Sequence, residues 1–337
     1  DIVILFIRRL SFHAKAHPFP MYQALAATGM RIRLIEYGKY FNTQIGASFD
    51  ELWSTLCPQL TRTVLDGSSF ENGDAAWAAA DIFCSLSDNF QETFGLTPVE
   101  AMAAGLPVIV SDWNGYRDTV RDGLDGFRIP THAPIAGFGE SWIKRYSRHD
   151  IDYDHYCGIT SLAVSVDLDE TIKALRELIA NPALRLQMGR SGRAHAQATF
   201  DWRHIIQRYQ DLWGELAARR KVAQDREERR HPWPARLDPF HVFSTYPTHA
   251  IDDFKKFIRR DTMNDAMIKT LLTMRSFSLA PALIGNEKNL FKILNQFTPD
   301  TPRSVSELDQ NDGLTSRDRI ACVAFGLKIG ALAPAPF

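Results

Sequence analysis

The sequence has no apolar run approaching the roughly 20 residues that span a bilayer, and no signal-peptide pattern is visible. Cysteine is scarce: Cys57, Cys84, Cys157 and Cys322 are scattered through 337 residues, with no Cys-x-x-Cys pair and no histidine cluster at ligand spacing. That excludes a disulfide scaffold and predicts reduced thiols in a cytoplasmic protein, with peripheral attachment to a membrane left open. Charge of either sign is not in excess, and a net charge of −1 gives no pull toward nucleic acid or anionic lipid. An initiator methionine is also lacking. The chain opens on Asp1 and runs straight into Ile2-Val3-Ile4-Leu5-Phe6-Ile7, which predicts a piece of a longer polypeptide, cut at the first strand of a domain. No internal repeat is found. What is present is ordinary globular composition, 45% apolar and 23% charged, at a length sufficient for two domains.

The opening run is apolar without alternation, as in a strand buried on both faces of a parallel sheet. A helix over 18–30, a strand over 31–36, a short helix over 49–56, a strand over 61–65 and a helix over 72–80 follow. This alternation predicts an α/β, doubly wound parallel sheet, in which ligands sit outside the carboxyl ends of the strands. The expected edge carries Arg9, Lys15, residues 88–91 and residues 112–114.

Residues 85–112 organise the rest. A strand over 81–86 breaks into a polar loop at 87–91, and a helix and the strand Val108-Ile109-Val110 follow. Gly105 and Pro107 end the helix. Its start reads in two ways. Thr97-Pro98-Val99-Glu100 has the form of a capping box with proline at the first helical position, which by itself accounts for Glu100. A start near 94 or 95 would instead put Glu100 in the second turn and remove that role. Glu92 has no comparable structural duty. A helix N-terminus with free N–H groups suits an anion such as phosphate, and a guanidinium and an ammonium from Arg9 and Lys15 could hold a diphosphate from the opposite side.

Downstream, 115–121 is a short helix, 127–130 a strand and 131–160 a long loop with little secondary structure. Helices follow over 169–180, 182–199 and 202–220, the second capped by Asn181. A charged run and the prolines of His231-Pro232-Trp233-Pro234 mark a linker over 223–239. It separates a unit over 1–222 from a mainly helical one over 240–337. Helices there are expected over 250–260, 264–275, 287–297, 304–310 and 316–330. The last three have the lengths of a small winged-helix-like module, but the mostly apolar third helix favours a structural or protein-contact role over DNA binding.

The Glu92-x7-Glu100 spacing encloses Phe94-Gly95-Leu96 and is followed by Ala101-Met102-Ala103-Ala104-Gly105-Leu106-Pro107-Val108. It resembles the donor-site motif of family 4 (group 1) retaining glycosyltransferases, and the similarity extends over about residues 2–220. The resemblance implies the C-terminal, Rossmann-like half of a GT-B enzyme, which transfers sugar from a nucleotide-diphosphate sugar with retention. It implies that Arg9 and Lys15 bind the donor diphosphate and that Glu92 contacts the transferred sugar. Thr93, Phe94, Gly95, Leu96 and Thr97 would line the donor, and Glu100 would hold the ribose hydroxyls. No metal or other cofactor is expected, because cations and helix dipole would neutralise the leaving diphosphate. Arg8 stands where the family usually has glycine. The acceptor, whether glycan, lipid or small molecule, would be met by an N-terminal domain absent from this chain, which alone should turn over poorly. The rival class is a catalytically silent nucleotide-sugar-binding or regulatory module.

Overall fold

The computed structural model describes residues 1–13, 15–222 and 238–335, and only the backbone of residue 8. Strand β1 (Ile2–Leu10) pairs along its whole length with β2 (Ile32–Tyr40), from Ile2 opposite Ile32 to Leu10 opposite Tyr40. With β3 (Thr61–Asp66), β4 (Ile82–Ser85), β5 (Val108–Ser111) and β6 (Gly126–Ile129) they form a six-stranded sheet of order β3-β2-β1-β4-β5-β6. Every pairing in it is parallel. The chain winds outward from β1 to β3, then returns to the other side of β1 and winds outward again. This is the doubly wound, Rossmann-like order, and it puts a switch point between the carboxyl ends of β1 and β4.

The apolar opening run explains why β1 is central. Ile4, Phe6 and Leu10 enter one core layer while Leu5 and Ile7 enter the other, the period of two that a strand imposes. Helices α1 (Phe19–Ala27) and α2 (Thr43–Leu56) cover the first layer; α3 (Phe70–Ala79), α4 (Leu96–Ala104) and the single turn α5 (Tyr116–Thr119) cover the second. The helix expected over 49–56 begins earlier, at Thr43, because the Asn42 side chain accepts the Ile45 N–H (2.9 Å) and caps it.

The largest departure from expectation is 131–160, which is not a loop. It holds β7 (Thr131–Pro134), α6 (Glu140–Ser147) and α7 (Tyr153–Leu162), after which β8 (Ser165–Val166) pairs antiparallel with β7. Gly158 and Thr160 are poor helix formers, but every residue from Tyr156 to Leu162 is buried, so tertiary packing overrides propensity. Helices α8 (Leu168–Ala180), α9 (Pro182–Phe200) and α10 (Trp202–Val222) follow as expected, and Asn181 accepts the Leu184 N–H (3.0 Å).

Of the linker expected over 223–239, residues 223–237 lie outside the described residues. Beyond it come α11 (Pro239–Val242), β9 (His249–Ile251), β10 (Phe257–Arg259), α12 (Asp265–Thr273), α13 (Ala280–Ile284), α14 (Glu287–Leu294), α15 (Ser316–Lys328) and β11 (Leu332–Pro334). The helix expected over 250–260 is absent. Its residues form β9, parallel to β7, and β10, antiparallel to β11, because distant partners take up their backbone groups. The helix expected over 304–310 is one 3-10 turn, Val305–Glu307, held by a Ser304/Glu307 capping box. Helix α15 is buried at every residue from Arg319 to Lys328, so the apolar face seen in the sequence is internal. The side chains of this mainly helical region join those of α1, α2 and the sheet in one continuous core. All four cysteines are free and buried. No helix among the described residues is long and apolar enough to cross a membrane.

Candidate functional site

At the switch point the loop after β1 and the loop after β4 are bonded to each other. Asn89 Nδ2 donates to the His13 carbonyl (3.0 Å) and the His17 N–H to Asp88 Oδ1 (3.3 Å). The loop after β5 grips the same segment from the other side. Ser111 Oγ donates to the Ser87 carbonyl (2.6 Å), the Trp113 indole to the Asn89 carbonyl (3.1 Å), and Asn114 Nδ2 to the carbonyls of Glu92 (3.0 Å) and Thr93 (3.1 Å). Asn114 does this from a left-handed backbone, φ 38°, which asparagine tolerates better than most residues. Gly115 next to it lets the chains touch: a Cβ there would lie 2.2 Å from the Thr93 carbonyl oxygen.

This frame brings Lys15 Nζ within 4.0 Å of Glu92 Oε2, across the switch point from β1 to β4. Glu92 is buried and Lys15 half-buried. Arg9 is exposed near the end of β1, in register with Lys39 of β2.

Helix α4 starts at Leu96. Its N-cap is Gly95, left-handed at φ 80°, with no side-chain cap. The capping-box reading of Thr97 to Glu100 is therefore replaced by the earlier start. The first amides of α4 have no side-chain acceptor at the cap, and Glu100 lies in the second turn with no capping duty. Glu100 reaches solvent from a groove of about 810 Å³ between α4 and α10, whose walls include Phe94, Leu96, Val99, Trp202 and Tyr209. Partial desolvation by those walls pushes its carboxyl above the usual range. The structure thus gathers the predicted residues in two groups, Lys15 with Glu92 and Glu100 with Phe94 and Leu96. Thr93 is exposed and Thr97 half-buried between them. Among the described residues no three His, Cys, Asp or Glu side chains are arranged to hold a metal ion.

Several residues that shape this loop were not legible as such. Phe90 is enclosed by Trp113, Phe240, Phe243 and Tyr246, stacking on Phe243 at 4.8 Å between ring centres. Asp88 is fully buried and ion-paired with Lys328, also fully buried. Burial pushes the Asp88 carboxyl up and the Lys328 ammonium down, and their contact opposes both shifts. His17 is pushed down to about 3 by burial and then by the nearby Lys328 charge. Its geometry agrees with a neutral ring, since Nδ1 accepts the Phe19 N–H (3.3 Å) and Nε2 donates to the Ser276 carbonyl (3.2 Å). Residues 88–91 and 112–114 were expected at this edge, but their partners His17, Phe240, Phe243, Tyr246 and Lys328 lie in distant segments that local pattern does not connect to it.

Residues 63–139, which include Glu92, α4 and the Asn114 corner, match the family model Glycosyl transferases group 1. A phosphatidyl-myo-inositol mannosyltransferase of Mycobacterium leprae is 45% identical over 56 residues, 17% of this chain and 15% of that protein. A D-inositol 3-phosphate glycosyltransferase of Saccharomonospora viridis is 27% identical over 142 residues, 42% of this chain and 24% of that one. The chain therefore spans less than a quarter of either relative. Among solved structures, Anabaena HepE in complex with UDP and glucose aligns with a TM-score of 0.46 at 18% identity, covering 65% of this chain and 48% of that one.

Proposed function

With residues 63–139 matching the Glycosyl transferases group 1 model, we propose that the chain is the donor-binding part of a retaining glycosyltransferase. It would move a sugar from a nucleoside-diphosphate sugar to an acceptor hydroxyl. The observation that carries this reading is the meeting of Lys15 and Glu92 at the β1/β4 switch point, beside an α4 N-terminus with no side-chain cap. A cation and an uncapped helix end at the carboxyl edge of a doubly wound sheet suit a diphosphate, and a carboxylate beside the cation suits the hydroxyls of the attached sugar.

On this reading Lys15, the exposed Arg9 and the first amides of α4 take up the charge that develops on the departing diphosphate, a task for which no metal is required. The bond from the anomeric carbon to the phosphate oxygen breaks, its electron pair leaving with the diphosphate. The acceptor oxygen attacks from the same face, and its proton passes to the departing phosphate. Glu92 orients the sugar, and Glu100 accepts hydrogen bonds from the ribose. The relatives extend well beyond the matched stretch, which supports placing acceptor recognition in a further domain.

In the chain joined to such a domain, Glu92→Ala and Lys15→Ala should each abolish transfer while leaving thermal unfolding close to that of the parent. Near-normal turnover in either variant would remove that residue from the site. Calorimetry on the chain alone with UDP, GDP and their sugars should show weak binding. Binding without any transfer, once the further domain is supplied, would favour the catalytically silent alternative.

A further inference from the structure

The loop that carries Glu92 is fastened from a part of the chain 240 residues away. Asp88, four positions before Glu92, is fully buried and gathers donors from three segments. Its Oδ1 accepts the His17 N–H (3.3 Å) from the β1 loop and the Ser161 hydroxyl (3.0 Å) from α7. Its Oδ2 accepts from Lys328 Nζ at the last residue of α15, and Lys328 Nζ also donates to the Ser161 carbonyl (3.1 Å). The same C-terminal region encloses Phe90 with Phe240, Phe243 and Tyr246. It also meets the β5 loop, where Arg117 donates to the Thr245 carbonyl and Thr248 Oγ1 to Asp112 Oδ2 (2.7 Å).

A buried ion pair is a poor choice for stability alone, because desolvation of two charges roughly cancels their attraction and an apolar pair of the same volume does as well or better. What such a pair does supply is direction: it is satisfied at one separation and one orientation, whereas apolar packing tolerates sliding. Here the direction is imposed on residues 88–92, the segment leading to the sugar-contacting carboxylate.

We propose that Lys328 is a positioning residue of the donor site, holding Glu92 in place through Asp88, so that the C-terminal region is a working part of that site. The role given to Glu92 rests on the glycosyltransferase reading; the mechanical link from Lys328 to the loop does not.

Trp113 reports on that link directly, since its indole N–H is bonded to the Asn89 carbonyl inside the loop. The test uses the full chain and three variants. Lys328→Met breaks the pair. Lys328→Met with Asp88→Asn removes both charges but keeps an acceptor for His17 and Ser161. Leu290→Ala, in the fully buried core of α14, perturbs the C-terminal region without touching the pair. The Trp113 indole resonance, assigned by loss in Trp113→Phe, is followed by nitrogen NMR together with its hydrogen exchange. Calorimetry compares UDP-glucose and GDP-mannose with UDP and GDP.

Lys328→Met should shift the Trp113 indole resonance and speed its exchange by about tenfold or more. It should erase most of the preference for sugar-bearing over free nucleotide while changing free-nucleotide affinity by less than about threefold, since Glu100 and α4 are untouched. The double variant should regain thermal stability but not the resonance or the preference. Leu290→Ala should melt earlier with both preserved. Recovery of resonance and preference in the double variant would overturn the proposal by showing the pair dispensable for positioning; the same losses in Leu290→Ala, or failure of the double variant to fold, would overturn it by reducing the pair to a general requirement of folding. If the parent chain binds no nucleotide, the donor-site reading falls, and the Trp113 measurement alone decides the mechanical link.

Discussion

Replacing Gly95 by alanine tests the left-handed start of α4 with a built-in control. Gly95 sits at φ 80°, and a Cβ built there lies 2.0 Å from Cε1 of Tyr116. An L-residue in this region costs about 1–2 kcal/mol. Tyr116 is fully buried and shares a hydrogen bond with Ser85 (3.0 Å), so moving the ring disturbs both its packing and that bond. Displacing it adds the roughly 1–3 kcal/mol of an overpacked core. Loss of its hydrogen bond adds about 0.5–1.5 kcal/mol. The total, about 2.5–6.5 kcal/mol, is a large share of the roughly 5–15 kcal/mol that holds a domain folded. Gly123 has nearly the same backbone, φ 72°, but nothing within 4 Å of a built Cβ, so Gly123→Ala carries the backbone cost alone. The two variants share the backbone cost and differ by about 1.5–4.5 kcal/mol; at roughly 1.4 °C per kcal/mol for a chain of 337 residues, Gly95→Ala should melt about 2–6 °C below Gly123→Ala in a calorimetric scan. Equal melting temperatures would refute the packing assigned to this cap, and with it the helix start that frees Glu100.

Two further outcomes concern buried charge. Glu36 is fully buried and receives hydrogen bonds from Tyr22 (2.5 Å) and Arg62 (2.7 Å), so Arg62→Met should cost about 3–5 kcal/mol in urea unfolding at neutral pH. Burial already holds the Glu36 carboxyl above its ordinary range. A carboxyl raised in the folded state favours folding at low pH and loses that contribution as pH rises, so the variant's deficit should shrink at pH 5 relative to pH 8; a pH-independent deficit argues against the unpaired carboxylate. His17 and His132 are both pushed down to about 3, chiefly by burial, and unfolding returns them to about 6.5. Their contribution is therefore full above pH 6.5 and is lost as pH falls toward 3, at up to about 1.4 kcal/mol per pH unit for each. His132→Gln should make the fall in urea-derived stability between pH 6.5 and 4 shallower by about one proton, and an unchanged slope would exclude His132 as a contributor.

The parts of the fold that local chemistry dictates were legible. The alternation of apolar strands with helices gave the doubly wound sheet its outline, Gly105 ends α4 in the left-handed conformation as expected, and Asn181 caps α9. The Lys15–Glu92 meeting followed from both residues lying at one sheet edge. What local chemistry could not show is what distant segments impose. Gly158 reads as a helix breaker, yet its missing Cβ makes room for Leu279, 2.4 Å from where a Cβ would stand. Residues 250–260 carry a helical pattern but find strand partners in β7 and β11. Thr97 to Glu100 satisfied the capping-box pattern, and the strain-free left-handed turn at Gly95 displaced it.

The 240-residue separation between Asp88 and Lys328 also sets an order of events in synthesis. A chain emerging from its N-terminus at about 5–20 residues per second completes the β4–α4 loop roughly 10–50 s before Lys328 exists. Once β6 has been made the sheet has every strand it needs, but Asp88 still has no Lys328 to meet it. A nascent chain therefore cannot present the finished crevice while α15 is still to come, and a chain that stops short of Lys328 never acquires it.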